Sequence, residues 1–456
     1  MRTLVVFEDA AVRAFEILTP LRGVFDLRCG ARTLVERLSA ACAADELVLL
    51  ARPEVCDLLA ESHPNARIGA HDPTRRGEDT PVAPRRVGLD EAGSADDTLF
   101  ANGRLLALGK DLERLTTGPA AGFAVVSGDV LVAARCRPQA AARLARTLQS
   151  ALGPHTPGMR GRLQRQLPDL VIRDLAAEPG LVRDGSSLIE HVWDLVDRNP
   201  AALADDFAQG PPAGVAVGAR VDPGVRVLQP TAVRVAAGAR IRPGVVLDAE
   251  AGPITIETGV DIQPNVVVCG PACIGPDCLI RAGAKIHAGT SLGPVCKFGG
   301  EVGESIVQGY SNKQHDGFLG HAWIGEWVNL GADTNNSDLK NNYSSVRVWE
   351  AGEFVDTGLM FVGLIAADHV KSAINTQFNT GTVVGLSSQI FGAGFPPKFV
   401  PPFSWGGAEG LEAYDYDKAL RTARAVMARR KRQMTPAYEA AFRLAFERWR
   451  AGVSKS

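Results

Sequence analysis

A six-residue repeat of branched apolar residues is the feature that most constrains how this chain folds. Between residues 215 and 292 these residues return at every sixth position, apart from three shifts in phase, with Gly, Pro, Ala, Asp and Asn between them. The repeating positions are Val215, Val221, Val227, Val233, Val235, Ile241, Leu247, Ile254, Val260, Val266, Ile274, Ile280, Ile286 and Leu292. Neither an α-helix nor an alternating strand has this period. A parallel β-helix has it, because three hexads close one triangular coil and the branched residues fill the interior of the stacked coils.

The rest of the chain divides into segments around this repeat. Residues 1–208 combine strand-like runs, TLVVF and ELVLLA, with helical runs such as ARTLVERLSAACAA, which predicts a separate α/β domain. Residues 209–214, QGPPAG, are a predicted linker, and residues 215–395 form the predicted β-helix. Residues 396–456 are predicted to form a proline-rich elbow followed by C-terminal helices that break near Pro436.

Charge and hydropathy indicate which partners to expect. A formal net charge of −2 gives no reason to bind nucleic acid or an anionic membrane. The dense basic run RRKR, residues 429–432, is interpreted as a solvated helix face. The N-terminus lacks the apolar core of a signal peptide, and the eight scattered cysteines are expected to be reduced. These observations predict a cytoplasmic protein with small-molecule substrates.

The repeat is interrupted by GYSNKQHDGFLG, residues 309–320, and is expected to return at Ile324, Leu330, Val355 and Phe361. Lysines concentrate around this interruption, although the chain has ten lysines against 39 arginines and only Lys110 precedes residue 285. The clustered lysines are Lys285, Lys297, Lys313 and Lys340. A compact ammonium charge suits a phosphate ligand, while a solvated rim is the alternative explanation.

The block SNKQHDGFLGHAWIGEWVNLGA, which begins at Ser311, resembles the acetyltransferase half of the bifunctional N-acetylglucosamine-1-phosphate uridylyltransferase/glucosamine-1-phosphate acetyltransferase family. It is most similar to a divergent branch of sugar nucleotidyltransferases. The resemblance implies an α/β nucleotidyltransferase-like domain, a left-handed parallel β-helix and a C-terminal helical tail. It also implies a homotrimer that transfers an acetyl group from acetyl-CoA to the amine of a sugar phosphate similar to glucosamine 1-phosphate.

The resemblance assigns roles to individual residues. His315 matches the general base that deprotonates the sugar amine, and imidazole suits this task near neutral pH. Asp316 or Glu301 would orient the ring, and backbone N–H groups of the loop would stabilise the oxyanion. Asn329 and Ala332 match substrate and coenzyme contacts. The predicted sugar-phosphate contacts are Lys297, Lys313, Lys340, Asn342, Tyr343 and Arg347.

Two positions depart from the family pattern. Phe318 stands where the family usually has a tyrosine, and Gly303 stands where it has a lysine. Lys297 or Lys313 is predicted to replace the phosphate contact of that missing lysine. The expected substrate is therefore an amino-sugar phosphate, and these departures leave open which one.

The N-terminal segment FEDAAVRAFEILTPLRGVFDLRCGARTLVERL resembles the opening of the same divergent nucleotidyltransferases. Arg22 and Arg28 match their basic positions, whereas Asn102 stands where the standard enzymes have a magnesium-binding aspartate. Asp9 or Asp129 is then the candidate Mg²⁺ ligand, because phosphoryl transfer depends on a metal and on positioned positive charge. An active domain that forms a UDP- or dTDP-sugar and an inactive nucleotidyltransferase fold both remain open.

Two further functions are compatible with a β-helix. A zinc enzyme of the carbonic anhydrase type would need three histidines from adjacent subunits, for which His287, His315 and His321 are the candidates. A non-catalytic protein that binds sugar nucleotides as a scaffold would keep both folds without their chemistry. A homotrimer is expected on physical grounds as well, because a single solenoid supplies only one wall of a ligand site.

Overall fold

The computed structural model describes residues 3–70, 97–109, 122–150, 158–177 and 188–453. The chain forms two compact units. The first comprises Met1–Leu27 and Thr33–Glu190, and the second comprises Arg28–Arg32 and His191–Ser456. The domain boundaries drawn from the sequence remain predictions.

The first unit is built on a mixed β-sheet. The strand order across this sheet is Arg67–Ala70, Glu46–Ala51, Thr3–Phe7, Thr98–Asn102, Val130–Cys136, Phe123–Ser127 and Val171–Asp174. The described helices of this unit are Leu34–Cys42, Cys56–Ser62, Pro138–Ser150 and Met159–Gln166, with 3-10 turns at Ala10–Phe15, Val24–Asp26, Pro53–Val55 and Leu175–Ala177. The short strand Arg28–Cys29 belongs to the second unit, and the short strand Arg32–Thr33 lies where the chain returns to the first. The predicted α/β class is confirmed.

Local sequence explains the first elements of this unit. TLVVF is entirely buried in the strand Thr3–Phe7, whose parallel neighbours are Glu46–Ala51 and Thr98–Asn102. The helix Leu34–Cys42 begins with a capping box, in which the Thr33 hydroxyl accepts from the backbone N–H of Glu36 and the Glu36 carboxylate accepts from that of Thr33. Both arrangements satisfy backbone groups that would otherwise be unpaired.

The second unit is dominated by the predicted left-handed β-helix, whose coils present three faces. The first face contains Gly214–Val215, Val233–Val235, Ile254–Ile256, Ala272–Ile274, Thr290–Leu292, Ile306–Gly309, Trp323–Glu326, Ile365–Ala366, Val383–Val384 and Phe399–Val400. The second face contains Arg220–Val221, Arg240–Ile241, Asp261–Ile262, Leu279–Ile280, Lys297–Phe298 and Asn312–Lys313, and later Lys371–Ser372, Gln389–Ile390, Ser404–Gly407 and Gly410–Ala413. The third face contains Arg226–Leu228, Val246–Asp248, Val267–Cys269, Lys285–Ile286, Glu301–Gly303 and Phe318–Gly320, followed by Asn335–Asn336 and Gln377–Phe378.

The interior of the β-helix consists of columns of equivalent residues from successive coils. One column pairs Val235 with Ile256 and then Ile274. The repeat deduced from the sequence placed Ile254 in this series, whereas Ile254 pairs with Val233 and Ala272 beside it. The coil at the start of the solenoid is less protected than predicted, since Val215 is 58% exposed.

An antiparallel hairpin interrupts the later coils. Arg347–Glu350 pairs with Glu353–Asp356, and the β-helix resumes at Ile365–Ala366. The prediction that the repeat returns at Ile324 and Leu330 is correct, because both side chains lie in the solenoid core. The prediction for Val355 and Phe361 is wrong. Val355 belongs to the hairpin, and Phe361 is 42% exposed.

Helices flank the β-helix within the second unit. They are Val192–Asp197, Asn199–Gln209, Tyr416–Ala428 and Pro436–Val453, with a 3-10 turn at Pro230–Ala232. The predicted break in the C-terminal helical tail is confirmed, since Pro436 opens the last helix. Among the described residues, no helix has both the length and the apolar character required to cross a bilayer.

Candidate functional site

His315 lies on a four-residue corner of the β-helix. The corner of residues 314–317 connects Asn312–Lys313 on the second face to Phe318–Gly320 on the third. Four residues make this connection in the earlier coils, as at 281–284, and only the coil directly below has a shorter one, residues 299 and 300. The predicted interruption of the repeat at residues 309–320 is therefore wrong, because the strands of this segment continue the three faces. His315 and Asp316 are exposed at this corner. The corner therefore presents an imidazole and a carboxylate to solvent from a regular coil of the solenoid.

Lys313 holds this corner from inside the solenoid. It follows Ile280 and Phe298 in an otherwise apolar interior column, and its side chain is fully buried. Its Nζ donates to the carbonyls of Gly299, His315 and Gly317 at 3.2, 3.0 and 2.5 Å. Burial lowers the pKa of Lys313 to about 8. The three donors are thus committed to the loop, and the structure gives Lys313 this role in place of the predicted phosphate contact.

Gly300 allows the ammonium group to reach those carbonyls. Its φ is +69°, and a Cβ at this position would lie 2.8 Å from Lys313 Nζ. A larger residue would therefore be strained and would also crowd the buried charge. The glycine and the inward lysine thus occur together where a two-residue corner lies below a four-residue corner.

A group of ionisable side chains lies on the adjoining third face. Lys285, Glu301 and Phe318 occupy equivalent positions in successive coils. Glu301 accepts from Lys285 Nζ at 3.4 Å, and its other oxygen lies 3.1 Å from His287 Nε2. Burial alone would raise the pKa of Glu301, but His287 and Lys285 outweigh it and lower this pKa. The sequence suggested Glu301 as an orienting group for His315, whereas its hydrogen-bond partners here are His287 and Lys285.

Gly303 explains how His287 fits beside this group. A Cβ on Gly303 would lie 3.2 Å from the Cβ of His287, so the missing side chain leaves room for the imidazole ring. The position at which the family has a lysine is therefore next to a histidine. His287 was considered in the sequence only as a zinc ligand, and its relation to Gly303 depends on the pairing of coils.

A cluster of cations surrounds Lys297 on the second face. Burial and the nearby charges of Arg430, Arg429 and Arg281 lower the pKa of Lys297. Arg430 donates to the side-chain oxygen of Asn312 at 2.5 Å, which anchors the end of the helix Tyr416–Ala428 beside the corner strand. The interpretation of RRKR as a purely solvated helix face is thus incomplete. Arg429 and Arg430 were not predicted as site residues, although the basic run RRKR already stood out in the sequence.

Asn329 and Ala332 belong to the coil above the corner. Asn329 bridges between Asn312 and Lys371 on the second face, and its side-chain oxygen accepts from Asn312 at 3.4 Å. Asn329 is exposed and Ala332 is half-buried. The structure therefore places both near the coil that carries His315.

The remaining predicted sugar-phosphate residues surround the inserted hairpin. Lys340 Nζ donates to the Ser345 carbonyl and to the Ser344 hydroxyl, and Asn342 accepts from Ser344. Arg347 donates to the Phe354 carbonyl at 2.6 Å. Tyr343 is 66% exposed. These contacts are internal to residues 340–356, which we call the hairpin segment.

The hairpin segment forms a second concentration of positive charge. The pKa of Lys398 is lowered by burial and then by the charges of Lys340 and Arg347. Lys398 Nζ also donates to the Arg347 carbonyl at 3.2 Å. Asp356 lies within this group. Its pKa is lowered mainly by hydrogen bonds from the Gly358 backbone N–H and the Ser345 hydroxyl, and further by the charges of Lys340 and Arg347. The segment is thus a second candidate contact for phosphate.

The three candidate zinc ligands do not form one group in the chain. His287 and His321 follow third-face strands, whereas His315 precedes one. His321 Nδ1 lies 2.8 Å from Asp338, and its ring stacks on Phe361 with centroids 5.0 Å apart. Over the described ranges, no group of three or more His, Cys, Asp or Glu side chains is placed to hold a metal ion. The zinc alternative gains no support.

In the first unit, Asp9 and Asn102 lie at the ends of neighbouring strands. Phe7 pairs with Asn102 across the sheet, and Asn102 Nδ2 donates to Asp9 at 2.9 Å. The Arg104 guanidinium donates to both oxygens of Asp9, at 2.9 and 2.7 Å. Burial alone would raise the pKa of Asp9, but Arg104 and Asn102 outweigh it and lower this pKa. Because both oxygens are occupied, Asp9 does not fit the predicted role of Mg²⁺ ligand.

The other nucleotidyltransferase candidates have different surroundings. Asp129 is exposed in the turn between Phe123–Ser127 and Val130–Cys136. Arg22 is buried in the first unit. Arg28 belongs to the second unit, where its backbone N–H donates to Gln308 at 3.0 Å. Their predicted roles with a nucleotide remain hypotheses.

Comparisons with known proteins agree with this architecture. Residues 4–210 match the family model for sugar nucleotidyl transferase, so the N-terminal part of the chain is similar to domains of that class. The chain is also similar to bifunctional nucleotidylyltransferase/acetyltransferase proteins, and the predicted resemblance is confirmed.

Individual relatives are distant. A bifunctional sugar-1-phosphate nucleotidylyltransferase/acetyltransferase of Sulfurisphaera tokodaii is 30% identical over 91 residues, which cover 20% of this chain and 23% of that protein. The bifunctional protein GlmU of Thermotoga maritima is 25% identical over 165 residues, or 35% of this chain and 33% of that protein. The chain thus matches about a quarter to a third of the length of these relatives.

Similar solved structures include acyltransferases. The UDP-N-acetylglucosamine acyltransferase of Francisella novicida is 15% identical, with a TM-score of 0.25, and the match covers 50% of this chain and 74% of that one. AntD, an N-acyltransferase of Bacillus cereus solved with dTDP and coenzyme A, is 9% identical, with a TM-score of 0.17 and coverage of 47% and 91%. At TM-scores this low, these structures add nothing to the fold described above.

Proposed function

We propose that the β-helix transfers an acetyl group from acetyl-CoA to the amine of an amino-sugar phosphate similar to glucosamine 1-phosphate. The observation that carries this proposal is the corner of residues 314–317, which presents His315 to solvent while Lys313 holds its backbone from within. A general base needs this combination of access and fixed position. The confirmed relationship to bifunctional nucleotidylyltransferase/acetyltransferase proteins supports the same chemistry.

In this mechanism His315 accepts the proton that the sugar amine loses as its nitrogen attacks the thioester carbonyl. The tetrahedral intermediate then expels the thiolate of coenzyme A, which takes up a proton and leaves as the thiol. Backbone N–H groups near the corner are the candidates for stabilising the oxyanion. Asn329 and Ala332 are proposed to contact substrate and coenzyme.

The cation clusters are proposed to bind the phosphates of these ligands. Lys297 with Arg281, Arg429 and Arg430 provides one positively charged surface beside the corner strand. The hairpin segment, with Lys340 and Arg347, provides the other. Lysine and arginine at close spacing favour phosphate because each adds charge and hydrogen-bond donors.

We further propose that the protein acts as a homotrimer. The corner of a single solenoid is an open surface, and a neighbouring copy would supply the second wall of a substrate cleft. The N-terminal domain is proposed to bind a nucleotide or a UDP- or dTDP-sugar. Since acetyl-CoA and nucleoside triphosphates are cytoplasmic metabolites, we place this activity in the cytoplasm.

Release of free thiol from acetyl-CoA in the presence of glucosamine 1-phosphate tests the proposal. H315A is expected to lower the rate by about a hundredfold to ten-thousandfold, the usual effect of removing a general base. Q314A is the matched control at the neighbouring corner residue and is expected to retain most of the rate.

Equal turnover of H315A and wild type would contradict the role of His315. Titration calorimetry with acetyl-CoA, and separately with a nucleoside triphosphate and sugar phosphate, distinguishes the remaining explanation. Ligand binding without turnover by the wild type would favour the non-catalytic scaffold.

A further inference from the structure

The hydrogen-bond network around the buried carboxylate of Asp9 differs from the surroundings of a metal-binding carboxylate. Asp9 follows the strand Thr3–Phe7 at the edge of the sheet where nucleotide-binding α/β proteins place their ligands. Its Oδ1 accepts from Arg104 Nε and from the backbone N–H of Ala11, and its Oδ2 accepts from Arg104 Nη2 and Asn102 Nδ2. Each carboxylate oxygen therefore already has two donors.

The orientation of Asn102 is fixed by the same network. Its Nδ2 donates to Asp9 and to the Leu131 carbonyl, while its Oδ1 accepts from the backbone N–H of Arg104. A flipped amide would place its oxygen against a carboxylate and a carbonyl and its NH₂ against an N–H. The amide oxygen is thus directed to the protein backbone and is not offered to a cation beside Asp9.

Arg104 is part of the domain interior. Its side chain is 2% exposed, and its Nη1 donates to the Ile189 carbonyl at 2.7 Å. The guanidinium therefore makes hydrogen bonds to two chain segments while it neutralises the carboxylate. A planar, permanently charged group of this kind is well suited to such a bidentate pair.

We propose that Arg104 is a built-in cation that takes the place of a divalent metal on Asp9. The N-terminal domain then binds its nucleotide or sugar nucleotide without a metal ion held by Asp9. This assignment concerns the first unit alone and does not depend on acetyl transfer by the β-helix. It also separates this chain from any phosphoryl-transfer mechanism in which Asp9 positions a metal.

Manganese binding to the full-length protein tests the assignment, because electron paramagnetic resonance distinguishes free from bound Mn²⁺. Wild type and the double variant D9N/R104M are compared, since the double variant removes both charges and leaves neither one unpaired in the interior. Identical Mn²⁺ titrations are expected. A bound Mn²⁺ in wild type that is absent from D9N/R104M would overturn the proposal.

R104M provides the second comparison. Without the guanidinium, Asp9 is expected to gain a bound Mn²⁺ that is absent from D9N/R104M. A folded R104M that gains no Mn²⁺ would show that Arg104 is not what excludes the metal, and this result would also overturn the proposal. If R104M does not fold, the comparison of wild type with D9N/R104M still decides the question.

Discussion

The two units neutralise buried charge in different ways. In the first unit, buried carboxylates pair with arginines: Arg52 donates to Glu8 at 2.9 Å, and Arg104 donates to both oxygens of Asp9. In the β-helix, the buried ammonium of Lys313 is held by three backbone carbonyls. The difference follows from architecture. Strand ends of a sheet bring long side chains together, whereas the corners of two successive coils turn carbonyl groups toward Lys313 in the interior.

The pKa values reflect these surroundings. Arg104 and Asn102 overcome burial and lower the pKa of Asp9, so its carboxylate is stabilised in the charged form. Backbone carbonyls do not compensate the buried lysine to the same degree, and the pKa of Lys313 falls to about 8. The ion pair of the first unit is therefore expected to contribute mainly to structure, and the lysine of the β-helix to respond to pH.

The largest expected effect comes from breaking the ion pair of the first unit. R104M leaves the Asp9 carboxylate buried and unpaired, which is expected to destabilise this unit by about 3–5 kcal/mol. Hydrogen–deuterium exchange of the strand Thr3–Phe7 under native conditions measures the change. D9N/R104M should recover much of the loss. Unchanged protection in R104M would show that the pair is not needed for stability.

The next effect concerns the lysine of the β-helix. K313M should keep the apolar interior column intact but release the carbonyls of His315 and Gly317, so acetyl transfer is expected to fall by about a hundredfold through misplacement of the base. Thiol release and hydrogen exchange of residues 314–317 measure the two consequences. K371M is the matched control, because Lys371 Nζ donates to the Trp327 and His369 carbonyls outside this corner. Equal losses in both variants would contradict a specific positioning role for Lys313.

Stability should depend on pH through the buried lysines. The pKa of Lys313 is about 8 in the folded protein, against ~10.4 for an unperturbed lysine. Between these values the unfolded chain retains a proton that the folded chain has released, so this contribution to the unfolding free energy rises with pH. Buried thiols such as Cys273, whose pKa burial raises to about 12, act in the opposite direction.

The thiols are the same in wild type and K313M, so the difference between the two proteins isolates the lysine. Urea unfolding at pH 7 and near pH 10 should show wild type gaining stability relative to K313M as the pH rises. A constant difference between the two proteins would contradict the lowered pKa of Lys313.

The smallest effect should come from a more exposed ion pair in the first unit. Arg67 donates to Glu46 at 2.8 Å, with 37% and 17% of their side chains exposed. R67M is expected to cost less than about 1 kcal/mol, because water already solvates much of this pair. The exchange measurement used for R104M applies here as well. A loss as large as that of R104M would remove the distinction drawn between buried and exposed pairs.

Much of the architecture could be predicted from local sequence. The hexad pattern predicted the β-helix, but the interruption predicted at residues 309–320 was wrong, because Lys313 takes an interior position that Ile280 and Phe298 hold in the preceding coils. Val355 and Phe361 were misassigned because an inserted hairpin imitates the spacing of branched and aromatic residues. Similarly, Ile254 matches the sixth-residue spacing, while the pairing of coils assigns its column to Val233 and Ala272.

The candidate sites were predictable only in part. A histidine in a glycine-bounded loop could be found from the sequence and from the family resemblance. The inward direction of Lys313 could not, since a lysine in a polar loop ordinarily faces water. Nor could the position of Lys297 beside Arg430, which depends on the return of a C-terminal helix to the solenoid.

The sequence by itself determined the kinds of element in each unit, because periodicity, capping and turn residues act over a few neighbouring positions. Only the tertiary structure decided which charged groups meet. Asp9 and Arg104 are far apart in sequence, and Lys313 depends on a carbonyl from the preceding coil. The free energy of a buried charge depends on partners brought together by the whole fold, so chain order alone did not reveal that Asp9 is paired or that Lys313 supports the corner.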